Sequence, residues 1–184
     1  QPPFRSSVPT TCSIPYPRND GWIWVGDQRV LETTAVPLVG AHNLLNTLPA
    51  VVIASTLFAI PLEGIASAIR SFAGLPHRLE FAGEVGGVRY YNDSQATAPE
   101  ATMAALASFP GKSLVLLAGG SDKGVSFAQL GAEILRHNVP TLLLFPPLCA
   151  QILAAVQAAA SVTPGSSLPT SMTVTSMQEA VRQA

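Results

Sequence analysis

The chain has 184 residues, of which 48% are hydrophobic and only 11% are charged. This composition allows a substantial buried core and excludes an intrinsically disordered chain. The formal net charge of −1 argues against nucleic acid or an anionic membrane surface as the main partner.

The start of the chain predicts an irregular segment, a hairpin and a helix. Repeated prolines within residues 1–20 indicate extended or irregular structure. Residues 22–33 alternate around a Gly-Asp turn, which is typical of a β-hairpin. A helix follows over residues 39–59, with Pro49 expected near its first turns or at a kink.

That helix overlaps an uncharged stretch, residues 43–62, which approaches the length of a membrane span. After Asn43 the stretch contains two prolines and four polar side chains, namely Asn46, Thr47, Ser55 and Thr56. A buried helix of a soluble α/β protein has the same pattern without placing polar groups in lipid. We therefore expect a soluble protein with no membrane partner.

A second helix is predicted to begin at Pro61 and to stop at Gly74 and Pro76, the usual order of start and stop residues. Its apolar positions fall on one face, formed by Ile65, Ile69 and Phe72.

From His77 onward, short apolar runs alternate with helical patterns. The apolar runs are residues 87–92, 113–119, 140–145 and 172–176. The helical patterns are residues 99–109, 126–138 and 147–160. Strands that alternate with helices predict right-handed βαβ crossovers. We therefore expect an α/β fold with a Rossmann-like open, mostly parallel sheet and flanking helices.

The change of pattern places a domain boundary near residues 74–78. We interpret residues 1–76 as the tail of one α/β domain and residues 77–184 as most of a second. The chain begins with Gln1 and opens on no signal-peptide pattern, so we expect a fragment of a longer protein.

Two predicted strands end in polar residues, and ligands collect at the carboxyl ends of parallel strands. Asp93 follows the first of these strands and is either a turn or cap residue or an acceptor for ribose hydroxyls. Residues 119–123, Gly-Gly-Ser-Asp-Lys, follow the second. They form either a tight turn or a loop that approaches a ligand while Lys123 offers its ammonium group.

Two further clusters are candidates. Asn43 and Asn46 lie one helical turn apart, and Asn43 is either an N-cap or a functional residue. His77 and Arg78 stand at the domain boundary, a frequent place for a ligand cleft. Arg78 is either a surface ion-pair partner or a cation beside a nucleotide.

The sequence lacks the residue spacing of three common kinds of functional site, namely the P-loop, the metal site and the nucleophile–base pair. It contains no G-x-x-x-x-G-K-[ST] P-loop. Its three histidines and two cysteines are scattered, without the spacing of a metal site or a nucleophile–base pair. We therefore expect no metal ligands here and no catalytic residue within this chain.

Four segments in this order, "GAHNLLN", "GLPHRLE", "YYNDSQATAPEAT" and "LLAGGSDKG", resemble the Mur ligases, and in particular the branch that adds D-glutamate. The resemblance covers about residues 20–184. It implies that residues 1–76 are the C-terminal part of a central ATPase domain. Residues 77–184 would be the Rossmann-like C-terminal domain, incomplete at its end.

The resemblance implies an ATP-dependent ligase of peptidoglycan biosynthesis, which adds D-glutamate to UDP-N-acetylmuramoyl-L-alanine through an acyl phosphate. Such an enzyme is cytoplasmic, and we expect a monomer that uses ATP and Mg²⁺, with the metal ligands outside this chain. Three residues are expected at the nucleotide, namely Asn46 at the adenine, Arg78, and Asp93 at the ribose. Three are expected at D-glutamate, namely Thr97, Lys123 and His77.

The chain also departs from the family pattern. Many relatives have "NDSKAT" where this chain has "NDSQAT", so Gln95 brings no charge. Without the P-loop, the chain alone is expected to be inactive. A folylpolyglutamate synthase-like ligase and a non-catalytic nucleotide-binding module are the alternatives.

Overall fold

The computed structural model describes residues 20–184 and the backbone of a short strand at residues 16–17. The chain divides after Gly74 into two compact units. Most of the irregular segment predicted within residues 1–20 lies outside the described residues.

The first unit combines a small antiparallel sheet with two helices. The sheet contains, in order, β1 (Tyr16–Pro17), β2 (Trp22–Val25) and β3 (Gln28–Glu32), and α1 (Ala41–Thr56) and α2 (Leu62–Ser71) follow. A short 3-10 turn separates β3 from α1. The predicted hairpin is confirmed. Side chains from the strands and both helices share one core, which includes Ile23, Leu31, Val51, Ile65 and Ala66.

Helix α1 bonds the polar side chains of the uncharged stretch to its own backbone. Ser55 Oγ donates to Val51 O at 2.7 Å, and Thr56 Oγ1 donates to Val52 O at 2.7 Å. Pro49 lies inside α1. Within the described part of the chain, no helix is long and apolar enough to cross a membrane.

Helix α2 ends earlier than predicted. It stops at Ser71, and Phe72 already has an extended conformation, with φ −78° and ψ 109°. The chain therefore leaves the helix before Gly74 is reached. Ile65 and Ile69 belong to the core of the unit, but Phe72 is 44% exposed, so the predicted apolar face is wrong for Phe72.

The second unit opens with a hairpin that the sequence pattern did not predict. Strands β4 (Glu80–Val85) and β5 (Val88–Asn92) pair antiparallel as a separate two-stranded sheet. The prediction that residues 87–92 belong to the parallel sheet is therefore wrong. Gly86 and Gly87, with φ of 59° and 83°, form the connection, and Gly-Gly is a known hairpin signal.

The rest of the second unit alternates helices and strands. In chain order these are α3 (Pro99–Ala107), β6 (Val115–Ala118), α4 (Ala128–Arg136), β7 (Thr141–Leu144), α5 (Cys149–Val162), β8 (Thr170–Thr173) and α6 (Met177–Gln183). The three strands form a parallel sheet in the order β6-β7-β8. The predicted α/β class and parallel sheet are confirmed for this unit.

Helices cover both faces of this sheet. Leu142 and Leu144 of β7 belong to the core that includes residues of α3, α4 and α5. Leu143, between them, packs with Val174 and Ala180 at the α6 side. All three leucines are fully buried, which is the reason that β7 is a continuous apolar run.

The last strand begins two residues and ends three residues earlier than predicted. Its pairing with β7 runs from Thr141 opposite Thr170 to Leu144 opposite Thr173. The chain then enters α6, whose N-cap Ser176 accepts a hydrogen bond from Glu179 N at 3.2 Å. The S-x-x-E capping pattern is the sequence signal for this helix.

Candidate functional site

Three polar segments of the second unit are joined by hydrogen bonds, and we call them the polar edge: residues 77–80, 92–97 and 119–124. Gln95 N–H donates to His77 O at 3.0 Å. Lys123 Nζ donates to Thr97 O at 3.3 Å. The structure therefore brings five of the six predicted site residues together, namely His77, Arg78, Asp93, Thr97 and Lys123.

Asp93 holds two of these segments together. Its Oδ1 accepts a hydrogen bond from Leu79 N at 3.0 Å, and its carbonyl accepts from Ala96 N at 2.8 Å. Leu79 is buried and has a φ of 45°, an uncommon conformation for a residue with a side chain. The turn role considered for Asp93 is therefore present, and its Oδ2 accepts no hydrogen bond from the described residues.

His77 also has a left-handed backbone, with φ 64°. Its N–H donates to Glu80 Oε2 at 2.8 Å, and its ring Nδ1 lies 2.8 Å from Asn92 Nδ2. Arg78 is exposed, and no carboxylate among the described residues forms an ion pair with it. The segment thus has a defined backbone while the guanidinium group of Arg78 faces no protein anion.

The loop after β6 approaches the neighbouring strand closely. A Cβ on Gly119 would lie 2.5 Å from Phe145 Cβ and 2.8 Å from Phe145 O. Only glycine fits this position without a backbone shift. Gly120 then has a φ of 133°, a conformation that residues with a side chain rarely adopt.

Asp122 fastens the same loop to helix α5. Its Oδ1 accepts from Gly124 N at 2.8 Å and its Oδ2 accepts from Gln151 Nε2 at 2.8 Å. These two hydrogen bonds, first that of Gly124 and then that of Gln151, hold the pKa of Asp122 below its ordinary value. Sequence reasoning missed Gln151, because it comes 29 residues later and belongs to no recognisable motif.

The sixth predicted residue, Asn46, is exposed on α1 in the first unit. Its neighbour Asn43 is buried, and Asn43 Nδ2 donates to Val39 O at 2.8 Å. The N-cap of α1 is Gly40. The capping role considered for Asn43 is therefore wrong, because its amide donates to a carbonyl instead of accepting from an N–H.

A groove of about 530 Å³ lies between α4 and α5. Its lining is mostly apolar and contains no charged side chain, so it offers no cation to an anionic ligand. The described residues contain no group of three or more His, Cys, Asp or Glu side chains that could hold a metal ion. Arg78 and Lys123 are exposed cations of the polar edge.

Comparison with protein families identifies the class. Residues 77–184 match the family described as Mur ligase, glutamate ligase domain. The match covers more than half of the chain, and the chain belongs to this family.

Two similar proteins have the same name. The chain is 40% identical over 125 residues to the UDP-N-acetylmuramoylalanine--D-glutamate ligase of Nitrosococcus oceani. The aligned residues cover 67% of this chain and 27% of that protein. It is 44% identical over 115 residues to the enzyme of the same name from Lactococcus lactis subsp. lactis, covering 62% of this chain and 25% of that protein. The chain thus spans about a quarter of these relatives.

A solved structure supports the fold. The murein peptide ligase mpl of Psychrobacter arcticus superposes with a TM-score of 0.52, covering 88% of this chain and 35% of that one. The sequence identity is 17%, so the likeness concerns the fold alone.

Proposed function

We propose that this chain is part of an ATP-dependent ligase that adds D-glutamate to UDP-N-acetylmuramoyl-L-alanine in peptidoglycan biosynthesis. The observation that carries the proposal is the 40–44% identity to D-glutamate ligases over about two thirds of the chain. In this proposal residues 1–76 are the C-terminal part of the central ATPase domain, and residues 77–184 form most of the C-terminal domain.

The polar edge provides groups suited to D-glutamate. Lys123 is exposed, and its ammonium group rests on the carbonyl of Thr97, a neutral acceptor that a substrate carboxylate can replace with a stronger, charge-assisted bond. We assign Thr97, Lys123 and His77 to D-glutamate. Its amine would then attack the acyl phosphate of the other substrate, and phosphate would leave.

The same edge provides groups suited to a nucleotide. Asp93 is assigned to the ribose and Arg78 to the nucleotide, because a carboxylate accepts from hydroxyls and a guanidinium group pairs with phosphate. Asn46 is assigned to the adenine. The cofactors are ATP and Mg²⁺, with the triphosphate and metal held by parts of the protein other than this chain.

The reaction must hold two anionic substrates and a polyphosphate together, and positioning with fixed cations supplies most of the required stabilisation. Within this chain that role falls to Lys123 and Arg78. We place the whole protein in the cytoplasm, acting as a monomer on small molecules.

Phosphate release by the full-length protein tests the proposal. Release with UDP-N-acetylmuramoyl-L-alanine, D-glutamate and ATP is expected, whereas this chain alone should release none. Turnover only with a reduced folate and L-glutamate would replace the proposal with a folylpolyglutamate synthase. Nucleotide binding without turnover on either substrate set would indicate a non-catalytic module.

A further inference from the structure

A chain of hydrogen bonds determines which ring nitrogen of His77 carries a proton. Ser94 N–H donates to Asn92 Oδ1 at 3.1 Å, so the amide oxygen of Asn92 faces a donor. The amide nitrogen Nδ2 lies 2.8 Å from His77 Nδ1. Because an amide NH₂ group donates and does not accept, Nδ1 must be the acceptor.

The opposite orientation of the amide fails at Ser94. Turning it over would place its NH₂ group against Ser94 N–H, so that two donors would face each other. Glu80 is the charged group near the same nitrogen, and its Oε2 is 3.8 Å from Nδ1, beyond hydrogen-bond distance. That oxygen already accepts His77 N–H at 2.8 Å. The neutral ring with its proton on Nε2 satisfies both hydrogen bonds of the Asn92 amide.

The backbone at His77 is held as firmly as the ring. Its carbonyl accepts from Gln95 N at 3.0 Å, and its φ is 64°. A left-handed residue with a side chain persists only where surrounding contacts impose it. The 54% exposed side chain is therefore presented to solvent in one orientation.

We propose that Asn92 is a positioning residue that keeps His77 as the neutral Nε2–H tautomer, so that the ring donates a hydrogen bond to an anionic oxygen of the bound ligand. The ligand assignment rests on the proposed function, in which His77 faces a carboxylate of D-glutamate. A neutral donor directs a carboxylate without attracting the phosphates of the nucleotide as strongly as a cation would.

Long-range nitrogen–proton NMR on the histidine-labelled chain tests the tautomer without any substrate. His42 and His137 are internal references, and His77→Gln assigns the third ring. The expected result is that the neutral ring of His77 carries its proton on Nε2. A proton on Nδ1 in the wild-type chain would overturn the proposal, whatever the variants do.

Two variants separate positioning from a merely structural role. Asn92→Asp has the same shape but presents an oxygen acceptor to Nδ1, so Nδ1 should become protonated. Ser94→Ala retains the backbone N–H and should leave the Nε2–H tautomer unchanged. If Asn92→Asp folds, as judged by amide dispersion, and Nδ1 stays unprotonated, Asn92 does not select the tautomer.

Kinetics of the full-length ligase test the ligand. Asn92→Ala should raise the KM for D-glutamate about 10-fold, the loss expected for one hydrogen bond to a charged group, with kcat changed less than twofold. An equal rise in the KM for ATP would overturn the assignment to D-glutamate. Absence of ligase activity in the wild type would refute the proposed function, while the NMR result would still decide the role of Asn92.

Discussion

The two loops of the polar edge are built in different ways. The loop after β6 is shaped by backbone contact, because Gly119 lies against Phe145 at the end of the neighbouring parallel strand. The segment after β5 follows a two-stranded hairpin and is shaped by side chains, because Asn92 and Asp93 bond to His77 and Leu79. Close packing tolerates almost no added volume, whereas a side-chain network tolerates any change that preserves its donors and acceptors.

The largest effect is expected where backbones touch. Gly119→Ala places a methyl group against Phe145 Cβ and O and should lower the free energy of unfolding by about 3 kcal/mol. Urea denaturation measures this. The matched control is Gly64→Ala in α2, whose added Cβ meets Ile60 Cγ2 at an ordinary 3.4 Å and should stabilise the helix by about 0.5 kcal/mol. Equal effects of both substitutions would show that close backbone contact does not shape the loop after β6.

A smaller loss is expected for the side-chain network. Asp93→Ala leaves the N–H of buried Leu79 without its acceptor and should cost about 1–3 kcal/mol. Asp93→Asn retains an oxygen for that N–H and should cost less. In the full-length protein, Asp93→Ala should weaken ATP binding by a similar amount, and calorimetry with unchanged affinity would refute the ribose assignment.

Lys123→Ala tests the ligand side of the other loop. Lys123 is exposed, and its one hydrogen bond among the described residues is to the Thr97 carbonyl, so folding stability should hardly change. The KM for D-glutamate should rise about 10-fold, and more than the KM for ATP, because a charge-assisted bond to a carboxylate is lost. Lys123→Arg, which retains the charge, should recover part of the affinity. Equal effects on both substrates would count against the assignment.

The smallest effect concerns the hydrogen bond between Asp122, in the loop after β6, and Gln151 of α5. The pKa of Asp122 lies below its ordinary value, mainly because Gly124 N–H and then Gln151 donate to the ionised carboxylate. Such a group stabilises the fold above its unfolded-state pKa and loses that contribution as the pH falls through its folded-state pKa. Gln151→Ala should raise the pKa of Asp122 toward its ordinary value and reduce this acid-sensitive contribution.

Carbon-13 NMR titration of the carboxyl group measures that change. Gln157→Ala, at an exposed position of the same helix, is the matched control and should leave the Asp122 titration unchanged. An unchanged titration in Gln151→Ala as well would show that Gly124 alone sets the pKa.

The elements predicted correctly are those whose pattern is local. Residues 99–109 and 126–138 contain the helices predicted for them, and the helix predicted over residues 147–160 is α5, which continues to Val162. The apolar run at Leu142–Leu144 is a strand because both its faces are buried. The run at residues 87–92 also contains a strand, but that strand pairs with β4 and not with the parallel sheet. Periodicity describes the faces of a strand and does not specify the strand beside it.

In the candidate site, too, local patterns identify residues but do not specify their partners. Polar residues after strands indicated Asp93 and Lys123, since the carboxyl ends of strands are where ligands collect. Asn92 and Gln151 acquired their positions only through partners 15 and 29 residues away. Neither residue type nor spacing distinguishes such a partner from an ordinary surface amide.

The sequence by itself determined the α/β class and most of the polar edge, because helix and strand periods and strand-end chemistry are properties of neighbouring residues. Tertiary structure alone decided that β5 stays outside the parallel sheet, that Gly119 has no room for a Cβ, and that His77 faces Asn92. These features depend on distances between segments far apart in the chain, and such distances exist only once the chain has folded.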